Sequence, residues 1–279
     1  MSDLRDVERP RAPRRPPNGL LVLVAGLVAL ALLVTLVFVL VRPGGTSGSA
    51  NPQPPPLPPP AGFETSAANL LSWGEPNMSE DFDGPLGPEW QIYDGPGHVG
   101  NGIRAPEAIT VEDGLLTITG DSEGTTGGMA WDSGQKYGRW EGRVRTPPSD
   151  ETYNALLLLW PDAEDWPVGG EVDFMEMLDA DRQRTKIFVH YGEDNSQVEG
   201  EVFTDATEWH NWAVEWTPEH IVAYLDGREW YRTSDPEVFP PREMHLAIQL
   251  DWFPGQGDPE DVEESEMQVD WVRQYPYQN

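Results

Sequence analysis

The sequence predicts an all-β sandwich of jelly-roll type preceded by one transmembrane helix. Three observations predict it: short alternating apolar stretches broken by Asp-Gly and Pro signals in the carboxy-terminal part, an uncharged apolar run at residues 20–41, and a Pro/Gly/Ser-rich stretch between them.

At 1.5 Å per residue, a helix over residues 20–41 spans the ~30 Å hydrocarbon core of a membrane. Arg5, Arg9, Arg11, Arg14 and Arg15 precede the run, and only Arg42 separates it from the folded region. The positive-inside bias therefore makes residues 1–19 a basic cytoplasmic tail and puts the rest outside, as a single-pass protein of the cell membrane. The competing reading is a secretory signal cut near Gly48, Ser49 and Ala50, although such a signal has an apolar region of only about 7–15 residues. Residues 42–72 read as a linker, flexible at 44–49 and a polyproline II spacer over the proline tract at 52–60. The folded domain is assigned to residues 73–279, with Leu70, Leu71 and Trp73 as the first side chains that can dock on it.

That domain is long enough for one well-buried core without disulfides. The chain has no cysteine, which removes thiol chemistry and Cys-ligated zinc and does not bear on export. Alternating segments at 115–119, 139–145, 213–216 and 222–225 read as strands, and Asp226-Gly227 is a two-residue hairpin turn between two of them. No long amphipathic helix is evident.

Charge narrows the function classes. Of 18 basic and 48 acidic residues, 6 and 3 precede residue 61, leaving 12 basic against 45 acidic beyond it. Such a field repels polyanions, so nucleic acid and sulfated or uronate-rich polysaccharides are poor partners and neutral polymers fit better. Solubility alone also accounts for much of the acidity. Five histidines without ligand spacing give no catalytic metal site.

The chemistry-bearing stretch is Gly170-Glu171-Val172-Asp173-Phe174-Met175-Glu176. In a strand Glu171 and Asp173 share a face, whereas Glu176 has the opposite parity. One bulged residue at Phe174 or Met175 brings Glu176 onto the face of the other two and sends Val172, Met177 and one of Phe174 or Met175 to the core. Two glutamates so placed can bring their carboxyls to the ~5 to 5.5 Å of a retaining glycosidase, and the ~6.5 to 9.5 Å of an inverting one is equally open to this spacing. Carboxyls this close cannot all ionise cheaply, so one keeps its proton near neutral pH. A solvated acidic strand face is the plainer alternative.

The flanks extend this to WPVGGEVDFME at residues 166–176, with SGQKYGRWEGRVR at 133–145, His190-Tyr191, WHNWAVEWTPEHIVAYLDG at 209–227 and MQVDWVRQY at 267–275 following the same order as in one family. Together they resemble family 16 glycoside hydrolases, of the laminarinase- or lichenase-like form with a bulged E-x-D-x-x-E strand, over roughly residues 79–277. The resemblance implies a concanavalin-like jelly roll whose concave sheet carries an open sugar cleft. It implies Glu171 as nucleophile, Glu176 as acid/base and Asp173 as the assisting aspartate.

By the same resemblance Trp166 stacks on a sugar near the cleavage point, His190 and Asn101 line the cleft, and Asp270 matches a ligand of a structural Ca²⁺ away from it. His190 also fits a buried histidine with a satisfied partner. The family's tryptophan in the preceding strand is displaced here to Trp160. On a late strand, Gln249 either contacts sugar hydroxyls or holds a structural position. Twelve tryptophans supply flat faces for sugar rings, although Trp212 and Trp216, alternating in one strand, fit a core or cleft wall.

These readings converge on a monomeric, outward-facing, retaining endo-glycosidase acting on neutral β-glucan with 1,3 or mixed 1,3/1,4 linkages. The same carboxylates also suit a transglycosylase of the cell envelope, and the same cleft suits a glucan-binding module without catalysis.

Overall fold

The computed structural model describes residues 62–258 and 261–277. The basic tail, the apolar run and the linker up to residue 61 lie outside these, and among the described residues no helix is long and apolar enough to cross a membrane.

Two antiparallel sheets face each other across a shared core. The cleft sheet runs, in spatial order, Ser196–Phe203, Arg184–Tyr191, Glu171–Met177, Tyr153–Pro161, Met244–Trp252, Gly128–Trp131 and Trp90–Ile92. The opposing sheet runs Arg228–Thr233, Ile221–Leu225, His210–Trp216, Gly138–Arg145, Ser265–Pro276, Leu115–Gly120 and Ile109–Glu112, with Met78–Glu80 also paired to Ser265–Pro276. This is the jelly-roll sandwich that the alternating pattern predicts.

Alternation with period two decides which side each residue faces. Ala155, Leu157 and Leu159 enter the central core beside Val172, Met177, Ile248 and Leu250, while Leu156, Leu158 and Trp160 point to the other face. Trp140, Trp212 and Trp216 fill the core from the opposing sheet. Full burial of one large apolar side chain contributes about 1.5–3 kcal/mol, so this layer holds the cleft sheet rigid. The hairpin is as the Asp-Gly pair predicts: Leu225 pairs with Arg228, and Asp226 and Gly227 turn with φ of 47° and 69°.

The start of the folded region is a correction. It reaches back at least to Gly62 rather than beginning at Trp73. Ala67 and Ala68 are buried, and their backbone N–H groups donate to the two carboxylate oxygens of Glu141 at 2.6 and 3.1 Å. Asn211 Nδ2 donates to the Gly62 carbonyl at 2.7 Å. Small residues allow this close docking. Burial raises the Glu141 carboxyl to about 8, against the two N–H bonds that lower it. Trp73 then packs edge-on against Tyr224 and Tyr275, at 5.9 and 5.6 Å between ring centroids, while Leu70 and Leu71 stay exposed.

Trp73→Ala should therefore cost about 3–5 kcal/mol of unfolding free energy, read by urea denaturation. An unchanged midpoint would put this segment outside the cooperative unit.

Candidate active site

The Glu171–Met177 strand lies centrally in the cleft sheet, between Tyr153–Pro161 and Arg184–Tyr191. Its register slips once: Asp173 pairs with Leu158 and Met175 with Leu157, which leaves Phe174 as the extra residue. The pairing with the other neighbour slips across the same interval. Glu171, Asp173 and Glu176 consequently all line one cleft, of about 880 Å³. Both Phe174 and Met175 enter the core with Val172 and Met177, where parity predicted only one of them. A bulge sets two residues against one partner, and here both are apolar and buried.

Each carboxyl has its own partner. Trp166 Nε1 donates to Glu171 Oε2 at 2.8 Å, and Asn154 Nδ2 donates to Glu176 Oε1 at 3.0 Å. His190 Nε2 lies 3.2 Å from Asp173 Oδ2, with its Nδ1 held 2.8 Å from Asn195 Oδ1. Glu171, Asp173 and His190 bring ligand-type atoms within 4.8 Å of one another, a cluster able to coordinate a cation.

Burial raises all three carboxyls. For Glu171 the charge of Asp173 adds to burial, and for Asp173 that of Glu176 does. Both are held well above the ordinary carboxylate range. Glu176 is pushed up to about 7, chiefly by burial, with the Asn154 N–H opposing. Asp173 Oδ1 is buried without a donor, and carboxyl oxygens of Glu171 and Asp173 lie within 4.8 Å of each other, so the two disfavour being ionised together.

The remaining candidate residues divide. Trp166 is 42 % exposed at the cleft, Trp160 stacks 6.4 Å from it with planes 11° apart, and Gln249 lines the cleft while accepting from Arg104 Nη2 at 3.1 Å. Asn101 is not among the cleft-lining residues. From its loop Gly97, His98 and Val99 reach the cleft instead, followed by Arg104. Asp270 faces Arg143, whose Nε is 3.0 Å from Oδ2. The cation beside it is thus a guanidinium, and among the described residues it belongs to no group of three acidic or histidine side chains within ligand reach. Asp270 is thus engaged in an ion pair, and no step of the mechanism is routed through calcium.

Sequence reasoning missed Asn154 and the bidentate Arg104–Asp251 pair, at 2.9 and 2.6 Å across 147 positions. The one available signal was parity, because Asp251 shares the alternation of Gln249.

Fold and motif identify the chain's family. Residues 101–273 match the model of glycosyl hydrolases family 16, and the chain belongs to that family. It is 28 % identical over 176 residues to a "Beta-glucanase" of Rhodothermus marinus, covering 54 % of this chain and 60 % of the relative. It is 30 % identical over 223 residues to "Endo-1,3-1,4-beta-glycanase EglC" of Rhizobium meliloti, covering 73 % of this chain and 46 % of the relative. The chain thus spans about half the length of these curated relatives. The catalytic domain of an endo-1,3-beta-glucanase (laminarinase) from Thermotoga petrophila has a similar fold, with TM-score 0.66, 22 % identity, and 74 % and 98 % of the two chains covered.

Two measurements check the electrostatics. Asn154→Ala removes the bond that lowers the Glu176 pKa, so carboxyl ¹³C NMR should find its midpoint above about 7; a midpoint unmoved or lowered would contradict the assignment. A glutamate normally titrates near 4.5, so the folded state binds this proton more tightly, and stability falls as pH rises from there through about 7. Glu176→Gln should accordingly raise the thermal midpoint more at about pH 8 than at about pH 3.5, roughly one unit either side of that window. Equal shifts at both would count against it.

Proposed function

We propose that the chain is a retaining, endo-acting β-glucan hydrolase for 1,3 or mixed 1,3/1,4 linkages. The observation that carries this reading is the Phe174 bulge, with Glu171 and Glu176 on one cleft face and Glu176 titrating near neutrality. Family membership, the names of the relatives and the acidic charge that disfavours polyanionic substrates support it.

Glu176, its carboxyl pushed up to about 7 by burial, enters protonated and gives its proton to the leaving glycosidic oxygen. Glu171 attacks the anomeric carbon as a carboxylate held by the Trp166 N–H. Water activated by the now ionised Glu176 then releases the glycosyl-enzyme. His190, beside Asp173, fixes that carboxyl's orientation.

The proposed arrangement in the cell is a basic cytoplasmic tail at 1–19, a membrane span at 20–41 and a linker that ends by Gly62, with the hydrolase domain outside. Glucan is the proposed partner.

Incubation of the full chain with laminarin, lichenan and a β-galactan, followed by reducing ends and product lengths, tests the reading. Cleavage of a glucan should vanish in Glu171→Ala and fall about 10²–10⁴-fold in Glu176→Gln. Undiminished hydrolysis by Glu171→Ala would overturn the assignment, and products longer than the substrate would mark transglycosylation instead.

A further inference from the structure

Past Glu176 the cleft sheet carries a group of buried polar side chains that the proposed mechanism does not use. Leu156 pairs with Glu176 on one side and with Gln249 on the other, and two residues along, Asn154 pairs with Asp251. Period two puts Asn154 on the face of Leu156 and Asp251 on that of Gln249. Directly opposed residues hold their Cβ atoms roughly 4.5–5.5 Å apart. The Asn154 side chain, fully buried, is therefore within reach of two carboxylates, Glu176 and the equally buried Asp251.

Only one of them holds it. Asn154 Nδ2 donates to Glu176 Oε1 at 3.0 Å, and Asn154 Oδ1 is buried without a partner among the described residues. No donor fixes the amide from its oxygen end, so its direction follows from which carboxylate takes its N–H. Asp251 makes no such demand, because Arg104 occupies both its oxygens, Nε on Oδ1 at 2.9 Å and Nη2 on Oδ2 at 2.6 Å.

Arg104 is fixed in turn. Its Nη2 also donates to Gln249 Oε1 at 3.1 Å, and its guanidinium carbon lies 5.3 Å from the centre of the Tyr93 ring. The short strand Ile103–Arg104 pairs with Thr125–Thr126, and the Thr126 hydroxyl donates to the Leu250 carbonyl, next to Asp251. His98 Nδ1 is 3.9 Å from Asp251 Oδ2, but burial lowers the His98 pKa, so Arg104 supplies the positive charge at neutral pH.

We propose that Arg104 is a positioning residue for the reaction: by saturating Asp251 it leaves the Asn154 amide to Glu176. The inference rests on the glucanase reading above, which makes Glu176 the acid/base. Without the guanidinium, Asp251 is a buried carboxylate with no partner, and such a group takes whatever donor is in reach. Asn154, directly across the strand boundary, offers one. Glu176 then loses the N–H that favours its ionised form and faces an unneutralised like charge, and both changes favour keeping its proton.

The other charged groups around Glu176 stay in place. Lys186 and His190 on the Arg184–Tyr191 strand lower its pKa, Asp251 raises it, and Asp173 faces it along its own strand. A carboxyl that acts first as acid and then as base needs both forms accessible at the working pH. Arg104, which touches no reacting atom, thus sets the balance between the two half-reactions.

The test is the Glu176 midpoint by carboxyl ¹³C NMR on the full chain, with the high-pH limb of laminarin hydrolysis measured alongside. In Arg104→Met both should move upward by about one pH unit, and adding Asp251→Asn should return them to the parent's position or below. Asp251→Asn alone removes the competing carboxylate and should move them downward, a result that decides the matter even if Arg104→Met fails to fold. An unmoved midpoint in folded Arg104→Met, an upward shift that survives Asp251→Asn, or no downward shift in Asp251→Asn alone would overturn the role of Arg104. A parent chain that cleaves no glucan would overturn the glucanase reading, and the NMR midpoints would still decide whether Arg104 acts on Glu176 through Asp251.

Discussion

The site depends on one inserted residue. Without the extra Phe174, strict alternation would point Glu176 into the core, where an ionisable carboxyl costs several kcal/mol unless neutralised or paired. With it, three carboxyls reach the cleft and four apolar side chains of the same short strand stay in the core. The bulge is held from below, since both Phe174 and Met175 are buried against the opposing sheet. The core therefore enforces the spacing on which the proposed chemistry relies.

A second constraint acts at the end of that strand. Arg182 is fully buried, and it donates to the Met177 carbonyl at 2.8 Å and the Tyr153 carbonyl at 2.9 Å. Met177 follows Glu176 and Tyr153 precedes Asn154, so one guanidinium ties together the strand ends that bring Asn154 to Glu176. Burial lowers the Arg182 pKa to about 10, which still leaves it charged at neutral pH. Electrostatics of the cleft thus rest on backbone anchoring as much as on the carboxyls themselves.

Much of this was legible in the sequence because it is local. The strands, the Asp226-Gly227 turn and the parity conflict within residues 171–176 each lie within a few positions, where period-two geometry decides the outcome. What was not legible depends on partners brought from afar. Asn154 meets Glu176 from the neighbouring strand, Arg104 meets Asp251 across 147 positions, and Asp162 fixes His245 across 83. The early start of the domain escaped for the same reason, since Ala67 and Ala68 have no marked pattern and are held by Glu141, 74 and 73 positions on. The Arg143 partner of Asp270 belongs to a strand that only the sheet order brings alongside.

The central claim is that Glu171 and Glu176, on one face of a bulged strand, divide the work of nucleophile and acid. Its most direct test is trapping with an activated 2-deoxy-2-fluoro laminaribioside, followed by peptide mass spectrometry. A single glycosyl label on Glu171 is the predicted result. A label on Glu176 would contradict the division of roles, and turnover of the probe through an inverted product with no covalent species would contradict the retaining mechanism itself.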